Sequence, residues 1–374
     1  MASASLPSIL FSPVRIGSLT VPNRFARSAT HDFLADEDGS VTDRNVALYA
    51  GLAEGEVGLI ISGHAFVSPE GKASPRQIGV CSDAQVPGLS RITRAVHAFP
   101  SRIMLQIAHA GRQTKDKICG GTPLAPSAVY EPVMKVMPRE MTGADIRHTV
   151  RDFVQAAERA AQAGFDGVQL HGAHGYLLSS FFSPYTNRRK DEWGGSTENR
   201  ARLAVEILHG IKMKCGPDFP VIIKLNASDF LPGGLEVEES IALSRVLGRA
   251  GIDAIEVSGG MSEAKKGSMW PGLRPEDEEG YFAPAAARIK AAASVPVLGL
   301  GGFRTLRAME RTVTERKADL VSLSRPFVRE PFLVKKFRTG EIAQSACISC
   351  NKCLNPKGIS CAELRTDKPG TSPS

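Results

Sequence analysis

Val221-Ile-Ile-Lys-Leu-Asn226, a helical stretch from Val237 to Ala250 closed by Gly251, and Asp253-Ala-Ile-Glu-Val-Ser258 make one complete strand–helix–strand unit. Strands this short and this continuous in hydrophobicity are buried on both faces, as parallel strands covered by helices are. Working outward, the same pattern repeats. Earlier strands are read at Asn23–Ser28, Gly58–Ser62, Arg102–His109 and Phe165–His171, and later ones at Val295–Leu300 and Asp319–Ser324. A helix from Ala144 to Ala163, with Thr142 as its cap and Gly164 after it, and another from Thr197 to Lys214 fill two of the intervals. Eight such units predict an α/β fold of the closed (β/α)₈ barrel kind, a single TIM barrel rather than an open sheet. Phe11–Pro22 reads as a small N-terminal hairpin that plugs the barrel bottom. The pattern stops near Gly340, which divides the chain into a barrel over residues 8–340 and a Cys-rich tail over 341–374.

In this register the polar residues collect at the C-terminal strand ends: Gln106 and His109, His171 and His174, Lys224 and Asn226, Ser258, Gly301 and Gly302, Ser324 and Arg325. Barrel strands converge there, and active sites are built on that face.

Bulk properties narrow the function classes. The net charge is +7 and the pI near 9.1. The basic residues are spread out, without an arginine-rich arm or an aromatic-spaced ladder, so no nucleic-acid partner is expected. A positive field suits an anionic ligand instead. No apolar run is long enough to span a membrane. The N-terminus lacks a secretory pattern, which makes the cytosol the expected location. Of seven cysteines, Cys347, Cys350, Cys353 and Cys361 crowd the C-terminus. In such a chain, clustered thiols point to metal or redox chemistry before disulfides.

The segment His171-Gly-Ala-His-Gly-Tyr-Leu-Leu-Ser-Ser-Phe-Phe-Ser-Pro184, with Thr186-Asn-Arg-Arg189 and Asp191-Glu-Trp-Gly-Gly-Ser-Thr-Glu-Asn-Arg200, resembles the signature of the Old Yellow Enzyme (NADH:flavin oxidoreductase) family. Pro13–Arg24, Gln106-Ile-Ala-His-Ala-Gly-Arg112, Pro296–Gly302 and Ser324–Pro331 match it in the same order, so the resemblance covers roughly residues 8 to 340. It implies FMN as cofactor and NAD(P)H as reductant, bound in turn over the flavin, so no dinucleotide fingerprint is required. It implies a small-molecule substrate with an electron-poor alkene. Oligomeric state stays open, a homo-oligomer being compatible with it.

Carried over by position, the resemblance gives Gly301 and Gly302 to the FMN phosphate through backbone N–H groups, with Arg325 as charged clamp beside Ser324. Their other reading is a glycine-rich turn with a surface arginine. Gln106 would bind the pyrimidine edge, and Lys224 would stabilise the reduced flavin's negative charge; alone it would be a salt-bridged structural lysine. His171 and His174 would clamp the substrate carbonyl oxygen while Tyr176 supplies the proton; a core histidine pair and a metal site are the alternatives. Ser28, Ala29 and Thr30 would line the flavin after the first strand. His31 follows where relatives often carry a threonine or cysteine that tunes the flavin, and its alternative is a surface histidine at a loop start. The loop from Gly260 through Phe282 should form the rim, with Trp270 and Tyr281 available to stack on a substrate.

Cys347-Ile-Ser-Cys-Asn-Lys-Cys353 with Cys361 is similar to the iron–sulfur motif of the trimethylamine dehydrogenase and 2,4-dienoyl-CoA reductase branch. The interval before Cys361 is shorter than in those relatives, and the second flavin or nucleotide domain that they append is not expected here. A 4Fe–4S cluster, a tetrahedral zinc and an empty motif are the three readings. The functional expectation is an FMN-dependent ene-reductase, with an iron–sulfur-linked flavin dehydrogenase and a non-catalytic FMN-binding redox sensor as alternatives.

Overall fold

A computed structural model describes residues 8–365. The barrel expected from the repeat is present. Its strands, in order, are Phe25–Arg27, Leu59–Ile61, Arg102–Ala108, Val168–Gly172, Val221–Asn226, Ala254–Ser258, Val297–Gly299 and Leu320–Leu323. Each pairs in parallel with the next, and the eighth closes on the first. A short strand, Ala65–Phe66, extends the edge beside Arg102–Ala108. The helix Gly143–Gln162 begins where Thr142 caps it: the hydroxyl accepts from Asp145 N–H while the Asp145 carboxylate accepts from Thr142 N–H. That exchange satisfies two of the donors a helix start leaves unpaired. Gly164, at φ 87°, lets the chain turn into the next strand.

Alternation along the strands sorts side chains into two shells. Outward residues such as Leu105, Leu170, Ile223, Leu225, Ile255, Val257 and Val321 join the large core beneath the helices. Inward residues form a second, separate cluster: Ala26, Leu59, Ile61, Met104, Ile222, Ala254, Leu298 and Leu320. The hairpin Val14–Ile16/Leu19–Val21 seals that cluster by inserting Ile16 and Val21, so it does plug the bottom.

Two residues further up, the inward face turns polar. Met104 gives way to Gln106, Ile222 to Lys224, Ala254 to Glu256 and Leu320 to Ser322, all buried. The fold therefore places a dry apolar layer under a polar one, and the polar layer floors the C-terminal mouth. The tail is no detached appendage. Ser345 N–H donates to the Arg304 carbonyl, Ile359 N–H to the Asp32 carbonyl, and Arg44 to the Lys357 carbonyl, which draws residues 341–365 over the same mouth.

Candidate functional site

Two adjoining cavities open at this mouth. The larger, about 660 Å³, is lined by Ser28, Ala29, Thr30, His31, Gln106, His171, His174, Tyr176, Lys224 and Ser324 among others. The smaller, about 400 Å³, is lined by Gly302, Ser324 and Arg325. Both share Ser268, Met269, Leu300 and Ser324, so together they accommodate an elongated ligand. Gly301 lines neither cavity. Its carbonyl accepts from Gly280 and Tyr281 N–H, and a Cβ on it would meet the Tyr281 backbone nitrogen at 2.7 Å. Its glycine identity is therefore demanded by that close approach, with φ 133° besides.

Beneath the large cavity runs a hydrogen-bonded chain. Gln106 Nε2 donates to Gln169 Oε1 at 2.7 Å, and Gln169 Nε2 donates to Glu256 Oε2 at 2.8 Å. Ser322 donates to the other Glu256 oxygen at 2.6 Å. Lys224 Nζ lies 3.2 Å from Glu256 and donates to Ser28 Oγ at 2.8 Å. Sequence reasoning looked to a flavin for the countercharge of Lys224; a protein carboxylate already supplies one. Burial pushes the lysine downward, and the Glu256 charge opposes that. Glu256 was missed as a site residue, although a glutamate inside Ala-Ile-Glu-Val was a signal.

The aromatic wall is dense. His171 stacks on Tyr176, centroids 4.3 Å apart, and meets His174 edge-on at 5.3 Å. Asn226 Oδ1 accepts from the His174 backbone N–H, and His174 Nε2 lies 2.8 Å from Ser258 Oγ. His171 Nδ1 is buried without any partner, an orphan directed at no protein group. Burial lowers His171 and His174, the latter to about 3, so both rings are neutral at pH 7. Burial likewise raises the Tyr176 phenol, which keeps its proton.

His31 is not a surface histidine. Its ring packs 3.7 Å from Phe33 and 4.7 Å from His64, and one nitrogen pairs with Ser74 Oγ. His64 also lines the large cavity and was not foreseen, though it follows a strand end as the other site residues do. His109, by contrast, lines neither cavity and accepts from Gly111 N–H through Nδ1.

The rim loop behaves differently from expectation. Trp270 stacks on Tyr281 itself, 4.1 Å apart and nearly coplanar, with Lys266 and Arg274 over the indole. Both rings are thus engaged with each other, and of the two only Tyr281 lines the smaller cavity. Met269 from this loop and Leu354 from the tail reach the large cavity instead.

Arg325 Nη1 donates to the Trp270 carbonyl at 2.9 Å, the Ser349 carbonyl at 3.3 Å and Asn351 Oδ1 at 2.6 Å. One nitrogen thus ties loop and tail together, while the guanidinium also meets the Tyr281 hydroxyl and lines the smaller cavity. The tail cysteines come together beside it. Burial pushes the Cys353 thiol up to about 11, with Cys347, Cys361 and Cys350 adding to the shift, so all four lie near one another. Arg329 Nη1 lies 3.8 Å from Cys361 Sγ, and Arg304 donates to the Cys347 carbonyl. Among the described residues no three of these sulfurs fall within 4.8 Å of one another; the one group that does meet that spacing is Glu70, His148 and Asp152.

Comparison with known proteins agrees with this geometry. A family model described as the NADH:flavin oxidoreductase / NADH oxidase family matches residues 9–344. The chain is 39% identical over 346 residues to an NADH oxidase of Thermoanaerobacter brockii, covering 91% of this chain but 52% of that protein. It therefore spans about half the length of that relative. It is 36% identical to an NADPH dehydrogenase of Geobacillus sp. (strain WCH70), covering 87% of this chain and 93% of that one. The structure of an Old Yellow Enzyme homologue from Zymomonas mobilis superposes with a TM-score of 0.79 at 27% identity, covering 97% and 99% of the two chains. Among the described residues no helix is long and apolar enough to cross a membrane.

Proposed function

The chain belongs to the NADH:flavin oxidoreductase / NADH oxidase family, and from that premise we propose that it is an FMN-dependent oxidoreductase, fed by NAD(P)H, that reduces electron-poor C=C bonds. A cytosolic setting fits both the reductant and the reduced thiols.

The donor set fits FMN. The smaller cavity offers Gly302, at φ 75° where a side chain would strain the backbone, with Ser324 and the Arg325 guanidinium, which suits a phosphate. The larger offers Gln106 as an amide and Lys224 as a buried cation, with Ser28, Ala29, Thr30 and His31 along one wall. When bound, the flavin supplies the hydride that adds to the β-carbon of the substrate.

The observation that carries the reading is that His171, His174 and Tyr176 pack together as one wall of the large cavity. Two neutral imidazoles can each present an N–H to a carbonyl oxygen. Negative charge grows on that oxygen only as the β-carbon is reduced, so fixed donors favour the transition state over the ground state. Tyr176, held protonated by burial, gives its proton to the α-carbon. The apolar rim of Met269, Leu300 and Leu354 keeps water from competing for it.

The test is an absorption spectrum of anaerobically purified protein, followed by reduction with NADPH or NADH and reoxidation with 2-cyclohexen-1-one. A flavin spectrum bleached by the reductant and restored by the enone is expected. Colourless protein that ignores added FMN would overturn the proposal.

A second reading adds to the first. The grouping of Cys347, Cys350, Cys353 and Cys361 beside Arg329, with Cys-x-x-Cys-x-x-Cys spacing, supports a 4Fe–4S cluster in the tail. It would make the protein an iron–sulfur-linked flavin enzyme. Iron and zinc quantified on the same sample separate this from a bare ene-reductase.

A further inference from the structure

His64 stands against Tyr176 with Nε2 3.4 Å from the phenol Oη, the rings inclined at 62° with centroids 5.3 Å apart. Which of the two donates depends on the tautomer of His64, and a neighbouring residue decides it. Gln77 is fully buried, and its Oε1 accepts from the backbone N–H of Ala73 at 2.8 Å. A backbone amide can only donate there, so the Gln77 amide cannot be flipped. Its Nε2 then faces His64, donating to Nδ1 at 2.7 Å and to the His64 carbonyl at 3.2 Å. Nδ1 is therefore the acceptor, and a neutral His64 carries its proton on Nε2.

We propose that His64 is a positioning residue for Tyr176: its Nε2–H donates to Oη, turns the phenol's own proton into the cavity, and holds the oxygen once that proton has left. The inference rests on the reading of Tyr176 as proton donor given above. In the step concerned the Tyr176 O–H bond breaks and a C–H bond forms at the α-carbon. The enolate electron pair takes the proton, the phenolate keeps the O–H pair, and water later returns a proton to Oη. Without a fixed donor behind it, a buried phenolate is expensive to form. The nearest charged or titratable neighbours of His64 are His31, His171, Tyr176 and Lys224. Burial, and after it the lysine charge, hold the imidazole neutral, at about 4. At 3.4 Å the contact is long, as catalytic hydrogen bonds often are before substrate closes them.

Two measurements test this. ¹⁵N NMR of histidine-labelled protein reads the tautomer directly, with His64 assigned by its loss in His64→Gln. A protonated Nε2 and bare Nδ1 are expected, whereas a protonated Nδ1 would overturn the proposal. Stopped-flow of the holoenzyme then compares reduction by NADPH with reoxidation by 2-cyclohexen-1-one. His64→Phe should slow reoxidation about ten- to a hundredfold, less than loss of a donor aimed at the reacting oxygen itself, with far less effect on reduction. His64→Gln, which places an amide N–H where Nε2 stood, should recover most of that loss. His64→Phe reoxidising at the wild-type rate while Tyr176→Phe does not would remove the role of His64 alone. Tyr176→Phe at the wild-type rate would remove the underlying reading as well.

Discussion

Lys224 and Glu256 lie opposite each other in register on neighbouring strands, and their side chains meet inside the barrel at 3.2 Å. Both are buried, so neither charge has water to fall back on. Lys224→Met leaves Glu256 uncompensated and should cost about 3–5 kcal/mol of stability. The double variant Lys224→Met/Glu256→Gln should regain much of it, because the glutamine keeps hydrogen bonds to Gln169 and Ser322 without the charge. Denaturant unfolding of the flavin-free proteins checks both. Equal loss in the single and double variants would show that the pair is not coupled.

Tyr176 is the second target. Its hydroxyl has no charged partner, and burial holds the proton on it. Tyr176→Phe should lower the rate of enone-driven reoxidation about a hundredfold or more, with NADPH-driven reduction largely kept. Stopped-flow absorbance of the flavin separates the two halves of the cycle.

The sequence made this site legible where strand periodicity reaches it. Gln106, His171, Lys224 and Ser324 end buried strands, and their convergence followed once the strands were counted. Glu256 lies level with Lys224 on the next strand, but no motif marks it, and a carboxylate among apolar neighbours is explained only by the lysine across from it. His64 lies three residues beyond its strand, next to Gly63, and belongs to no recognisable motif. Met269, Leu354 and the partners of Arg325 come from segments without periodicity, and only tertiary folding brings them over the mouth. The stacking of Trp270 on Tyr281 was unreadable for the same reason.

The buried histidines set an acid limit. Burial lowers His64 and His109 to about 4 and His174 to about 3, and lowers His31 and His171 as well. The unfolded chain takes up these protons near pH 6.5, while in the folded chain His64, His109 and His174 refuse them until about pH 4 or 3. No penalty exists above about pH 6.5. Stability is then lost as pH falls through that window, by about 1.4 kcal/mol per pH unit for each histidine. Denaturant midpoints at pH 7, 6 and 5 should fall progressively, and His109→Gln, which leaves the cavity lining untouched, should reduce the slope.

Arg325 supports the last prediction, because it joins the smaller cavity to the tail. Its Nη1 is committed to Trp270, Ser349 and Asn351, so the guanidinium is held in place before any ligand arrives. If its remaining donors bind a phosphate, Arg325→Met should weaken FMN by about 1.5–3 kcal/mol, the worth of hydrogen bonds to a charged group. Riboflavin, which lacks the phosphate, should bind both proteins alike. Asn351→Ala should show a smaller loss of the same kind, since it loosens the arginine without removing it. Fluorescence titration of flavin-free protein with FMN and riboflavin gives all four affinities. Equal weakening for both ligands would place the phosphate elsewhere and leave Arg325 as a brace between the barrel and its cysteine-bearing tail.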